Sequence, residues 1–157
     1  MNKYMNEADK LVRENLINNN GGPFGAVIVK SGKIIGRGAN RVIIDNDPTA
    51  HAEIIAIRDA CRNINSYDLT GCEIYTTCYP CPMCLSAIIW SNIEKVYFGN
   101  TKEDAAEIGF RDEFIYDYIE KLSKGIEDKT LKLKNIDRNK TIKEFKEFIN
   151  KEDKIVY

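Results

Sequence analysis

The chain contains a single histidine, in the run His51-Ala52-Glu53, and thirty residues later comes Pro80-Cys81-Pro82-Met83-Cys84. One imidazole and two thiolates fill three positions around a tetrahedral zinc and leave the fourth open, as a catalytic zinc requires. A chain that binds metal in this way must bring two distant segments to one point. Each of them stands where a helix should begin: Asp47-Pro48 lies just ahead of His51, and Pro80 and Pro82 bracket Cys81. Two helix N-termini would then direct partial positive charge and free N–H groups into the same volume, which favours thiolates. Zinc held by two thiolates and a neutral imidazole is formally uncharged and acidifies a water less than an all-histidine site does, so a nearby base gains importance. Glu53 is the candidate for moving those protons.

The rest of the chain alternates between strand and helix patterns. Ala8, Leu11, Val12 and Leu16 repeat at helical spacing until Asn18-Asn19-Asn20-Gly21-Gly22-Pro23 stops them. Ala26–Lys30 and Ile34–Asn40 read as strands joined into a hairpin by Ser31-Gly32-Lys33, and Arg41–Thr49 reads as a loop. Ile54, Ile57 and Cys61 mark a helix with His51 and Glu53 in its first turn. Cys72–Thr77 is expected as a third strand, and Cys81–Ser91 as a helix so apolar that it should be buried. Ile93–Gly99 is expected as a fourth strand and Leu131–Leu133 as a fifth. Ile115, Tyr118, Ile119 and Leu122 mark a helix between those two, and Ile142, Phe145 and Ile149 mark the last one, ahead of the tail 151–157. Ser123–Thr130 is polar enough to be a mobile connection. The alternation implies an α/β sandwich around a mixed sheet.

With 157 residues, 43% of them hydrophobic, one domain and one core are expected. The 23 basic and 24 acidic residues leave a net charge of −1, so no general positive field favours nucleic acid or anionic membrane, and a small-molecule substrate fits better. No apolar run approaches a membrane span, and Met1–Lys10 is mixed polar rather than a signal sequence, which makes a cytoplasmic protein the expectation.

Either half of the metal motif alone is weak evidence. His-x-Glu is common by chance, and C-x-x-C also serves redox pairs and structural zinc. Cys78, Cys81 and Cys84 form part of an iron–sulfur-like run, but Ile88 stands where the fourth cysteine would be. Cys78 therefore reads as a small strand-end residue, and Cys61 and Cys72 as core.

Together the two halves form the H-x-E and P-C-x-x-C signature of zinc nucleobase deaminases. The chain resembles the cytidine deaminase-like superfamily and, within it, bacterial guanine deaminases. The resemblance runs through Gly21–Val29, Asn46–Glu53, Pro80–Cys84 and the blocks Asp104-Ala105-Ala106, Gly109-Phe110 and Phe114-Ile115-Tyr116. It implies a three-layer sandwich with a five-stranded mixed sheet between helices, one Zn2+ per chain on His51, Cys81 and Cys84, and Glu53 as proton shuttle. Asp112 would be a second catalytic carboxylate, contacting the purine and helping protons reach the leaving amine. The base would lie against Phe24 and hydrogen-bond Asn40, with Ala52, Tyr79, Trp90 and Tyr157 as further substrate contacts. The resemblance also implies a homodimer touching through the Cys81 helix and the last helix, with residues from about 135 to 157 covering the site of their own or the partner subunit.

Two positions depart from that family. Tyr79 stands where guanine deaminases and tRNA adenosine deaminases usually carry glutamate, and a phenol hydrogen-bonds differently from a carboxylate. The tail also runs further than the family's, so Tyr157 is a shifted equivalent of its terminal tyrosine. Conversion of guanine to xanthine and ammonia is the leading expectation. Cytosine, an aminotriazine, a purine nucleoside and the wobble adenosine of tRNA are alternatives, as are a structural-zinc binding module and a redox C-x-x-C protein.

Overall fold

Asn2 starts the first helix, α1 (Lys3–Asn18), its side-chain oxygen accepting from the backbone N–H groups of Tyr4 at 2.8 Å and Met5 at 3.3 Å. Asn19, in the left-handed region at φ 52°, ends it. β1 (Gly25–Lys30) and β2 (Lys33–Ala39) form an antiparallel hairpin. Its turn residues Ser31 and Gly32 both take positive φ, 49° and 77°, as a two-residue turn matched to the twist of the strands demands. The computed structural model describes residues 2–157, in two compact units that part after Tyr116.

β3 (Cys72–Cys78) pairs antiparallel with β1, and β4 (Lys95–Asn100) pairs parallel with β3, giving the order β2-β1-β3-β4. The sheet is mixed, as expected, but has four strands among the described residues. The fifth, expected at Leu131–Leu133, does not form: the carbonyl of Leu131 accepts instead from the Tyr118 hydroxyl at 3.2 Å, and residues 131–137 join no ladder. Three alternating residues without a partner strand cannot hold an extended conformation alone.

Period-two alternation divides the first unit into layers. Ala26, Ile28 and Ile74 face one side, where α3 (Ala52–Ile64) contributes Ala52, Ala56 and Ala60, and α4 (Pro82–Trp90) contributes Ile88. Val27, Val29 and Tyr75 face the other side, against Ala8 of α1. β1 is buried on both faces from Gly25 to Val29, which is why that stretch is apolar without a break before Lys30.

The seam between β2 and α3 is unusually close. A methyl group at Gly36 would run into the Ala56 carbonyl and the Ala60 side chain, and one at Gly38 into the Ala52 carbonyl and the Ala56 nitrogen. Glycines on the strand facing alanines one turn apart on the helix thus let two backbones meet, and fix where α3 begins.

Three helical expectations change. The segment 41–49 contains a one-turn helix, α2 (Val42–Asp45). A further helix, α5 (Lys102–Glu107), starts at a capping box in which Thr101 accepts from the Asp104 N–H and Asp104 accepts from the Thr101 N–H. α4 is not buried all round: Cys84 and Ile88 face the core, whereas Ile89 and Trp90 are 72% and 71% exposed. Within its last turn Ile88 joins the core cluster while its neighbours Ile89 and Trp90 stand exposed.

α6 (Glu113–Ser123) and α7 (Arg138–Asn150) follow as expected. Within the second unit Lys121 pairs with Asp117 at 2.6 Å and Asp128 at 2.9 Å, while Phe145, Ile149 and the tail residues Ile155–Tyr157 are largely exposed. No helix among the described residues is long and apolar enough to cross a membrane.

Candidate metal centre and active site

His51 is the N-cap of α3, and Cys81 is the N-cap of α4, both with extended backbone. Cys84 lies one turn into α4, so the two helix starts converge as their sequences demand. The His51 Nδ1 is 3.5 Å from Cys81 Sγ and 3.6 Å from Cys84 Sγ. A tetrahedral zinc with Zn–N near 2.05 Å and Zn–S near 2.3 Å separates such atoms by about 3.6 Å. The three donors therefore fit zinc in type, number and spacing, and they form the one such metal-ligating group among the described residues.

The two thiols of the group differ in how readily they ionise. Contact with Cys84, and then with His51, holds the Cys81 thiol down to about 4 against the opposing effect of burial. Cys84 is pushed far above the ordinary thiol range by its contact with Cys81, by burial and by Glu53. The contact with Cys81 also raises His51. Zinc binds both sulfurs as thiolates, so binding releases the Cys84 proton.

Glu53, in the first turn of α3, is 6% exposed. Its Oε1 accepts from the Thr76 hydroxyl at 3.3 Å and its Oε2 from the Cys84 thiol at 3.4 Å. Burial, more than any neighbouring charge, raises its pKa. A carboxyl group raised in this way, beside the ligands but not among them, can both take and return a proton.

These residues open onto a cavity of about 450 Å3. Phe24 forms part of its wall and meets Phe110 edge to face at 4.9 Å. Asn40 is 4% exposed, and its side-chain oxygen accepts from the Gly22 and Val42 N–H groups at 3.1 and 3.2 Å. With its oxygen so engaged, Asn40 presents its NH2 group as a donor to the cavity. Tyr79 also lines the cavity, its N–H bonded to the Asn100 carbonyl at 2.8 Å and its ring edge to face with Phe98 at 5.1 Å. Asp112 also lines the cavity, and burial and then the Cys81 charge raise its pKa.

The structure thus gathers Phe24, Asn40, His51, Glu53, Tyr79, Cys81 and Asp112 around one cavity. Ala52 is fully buried in the core and outside the cavity lining, and only its backbone lies at the helix start. Trp90, at the exposed end of α4, is also outside the lining, and Tyr157 belongs to the second unit. Cys78 ends β3, where its thiol donates to the Thr101 carbonyl at 3.4 Å, and it is not in the metal group. Sequence reasoning missed Lys102, Phe110 and Arg111 in the wall. Phe110 and Arg111 immediately precede Asp112, and the capping residues Thr101 and Asp104 mark the turn that presents Lys102.

A buried carboxyl beside a three-ligand zinc site in an α/β sandwich defines a class, and residues 1–100 match the zinc-binding region of cytidine and deoxycytidylate deaminases. The chain belongs to that family. It is similar to the guanine deaminase of Bacillus subtilis, 56% identical over 101 residues, a match that covers 64% of this chain and 65% of that protein. The match therefore spans just under two thirds of that relative's length. The crystal structure of guanine deaminase from Bacillus subtilis superimposes with a TM-score of 0.92 at 43% identity, covering 100% of this chain and 99% of the other. A tRNA-specific adenosine deaminase of Buchnera aphidicola is 43% identical over 122 residues, covering 77% of this chain and 76% of its own.

Proposed function

We propose that this protein hydrolytically deaminates a purine base, with guanine converted to xanthine and ammonia. One observation carries the reading: the Glu53 carboxyl is buried, raised in pKa and within 3.4 Å of a metal-binding thiol, yet it is not itself a ligand. A purely structural metal site has no use for such a group. His51, Cys81 and Cys84 would hold a zinc ion, which would supply the Lewis acidity that makes water nucleophilic near neutral pH. Glu53 takes a proton from the attacking water as its oxygen adds to the amine-bearing carbon, and delivers it to the adjacent ring nitrogen. The remaining proton of the added hydroxyl passes through Glu53 to the amine, with Asp112 assisting, and the C–N bond breaks to release ammonia and leave a carbonyl on the ring. The NH2 of Asn40 donates to a ring or exocyclic acceptor, and Phe24 packs against the ring face.

The same proposal assigns the whole chain, 1–157, to one deaminase domain. Residues from about 135 to 157, with Tyr157, act as the cover, and the protein works as a cytoplasmic homodimer. The likeness to the Bacillus structure along the full chain supports the single domain.

Ammonia release from the zinc-loaded protein, measured over guanine, guanosine, adenine, cytosine, an aminotriazine and a tRNA anticodon stem-loop, tests the reading. Guanine is expected to give the highest kcat/KM. Preference for the tRNA would instead support the alternative favoured by the adenosine deaminase relative. No turnover of any of them would leave a zinc-binding module.

A further inference from the structure

Asp112 and Tyr116 stand one helical turn apart at the start of α6, where the Tyr116 N–H donates to the Asp112 carbonyl at 3.4 Å. Helical side chains lean back toward the N-terminus, so the tyrosine ring lies over the turn that carries Asp112. Its hydroxyl is buried, and among the described residues it is the one buried side-chain nitrogen or oxygen without a hydrogen-bond partner. A donor left in that state lowers stability, and few survive in native proteins without a use. Burial, and then the charges of Asp112, Tyr79 and Cys81, push the hydroxyl up to about 12, so its proton stays in place at neutral pH. Tyr116 is itself outside the lining of the cavity, beside Asp112 and Lys102, which both belong to it. On the ring face, the Lys102 ammonium stands 5.5 Å from the centroid.

We propose that Tyr116 is a positioning residue: when a base occupies the cavity, its hydroxyl donates to the Asp112 carboxylate and holds that carboxylate toward the departing amine. The inference rests on the deaminase reading above. Tyr116 transfers no proton itself. It gives Asp112 a fixed direction toward the amine, and the idle hydroxyl is the cost of that readiness. Nothing else in the first turn of α6 supplies the function, since Glu113 and Phe114 are exposed and Ile115 has no donor on its side chain.

The test compares wild type, Tyr116→Phe, Asp112→Glu and the double variant, each with its zinc content, its melting temperature without substrate, and kcat and KM for guanine. Tyr116→Phe is expected to keep full zinc and to melt at the wild-type temperature or a few degrees above it, because it removes an unsatisfied group. Its KM should change little while kcat falls about tenfold or more, the pattern of a group that directs the reacting carboxylate and does not itself bind the base. In the Asp112→Glu background, where the carboxylate is already displaced, the same substitution should cost much less. A kcat within twofold of wild type overturns the proposal. So does a melting temperature that falls together with kcat, which marks a structural role, or an equal loss in both backgrounds, which marks independent action. An inactive wild type would remove the deaminase reading itself, whereas an active wild type indifferent to Tyr116→Phe removes only this inference.

Discussion

At the scale of single residues, the ligands and Glu53 separate cleanly into metal binding and proton movement. Glu53→Gln keeps the size and burial of the side chain but cannot cycle a proton. Atomic absorption should find zinc content unchanged, while steady-state assays find kcat lower by about 10²–10⁴. Parallel loss of zinc and fold would mean that the carboxyl is structural. Tyr79 is the residue where family pattern and local chemistry part. A carboxylate in its place accepts hydrogen bonds and can ionise, and the phenol has one hydroxyl and an edge-to-face neighbour in Phe98. Tyr79→Glu should therefore change the ratio of kcat/KM between guanine and the other bases by about tenfold or more, and an unchanged ratio would mean that the position does not select substrate. His51, Cys81, Cys84 and Glu53 were legible in the sequence because their chemistry is written in residue type and spacing. Lys102 and Phe110 were not, since a lysine and a phenylalanine carry no such signature and reach the cavity only through the course of the chain after β4.

At the scale of elements, the site depends on where two helices start. α4 is set by its proline and its cap, but α3 is set by contact: its alanine stripe rests directly on Gly36 and Gly38 of β2. Gly38→Ala forces the two backbones apart, an overpacking worth about 1–3 kcal/mol. The melting temperature should fall by several degrees, roughly 2–4 °C per kcal/mol for a chain of this size, and zinc affinity should weaken with it as His51 shifts. Differential scanning calorimetry with a competitive zinc chelator measures both, and a variant with wild-type affinity would show that α3 is held elsewhere. Most elements could be read from residue type and periodicity, as the Val- and Ile-rich runs of β1 and β2 and the helical spacing in α1 and α3 illustrate. The errors share a physical cause. Leu131–Leu133 alternates like a strand but has no partner to pair with, and pairing is not a property of three residues. α4 is apolar throughout, yet Ile89 and Trp90 are exposed, because composition describes a helix's environment only where something covers it.

At the scale of the whole molecule, that exposed end of α4 bears on assembly. Monomers seldom keep large neighbouring apolar side chains such as Ile89 and Trp90 in water, and the proposed homodimer would give them a place. Size-exclusion chromatography with light scattering should find a dimer for the wild type and a larger monomer fraction for an Ile89→Ser, Trp90→Ser double variant; identical profiles would exclude this surface from the interface. The near-neutral charge that pointed away from polyanions applies to the chain as a whole, and it is compatible with the local cations Lys102 and Arg111 beside the cavity.

The convergence of His51, Cys81 and Cys84 from two helix starts also bears on how damage spreads through the molecule. Both helices are anchored in one core cluster, α3 through Ala52, Ala56 and Ala60 and α4 through Ile88. A cavity opened at any of those positions can tilt one helix against the other and so move a donor that lies nowhere near the substitution.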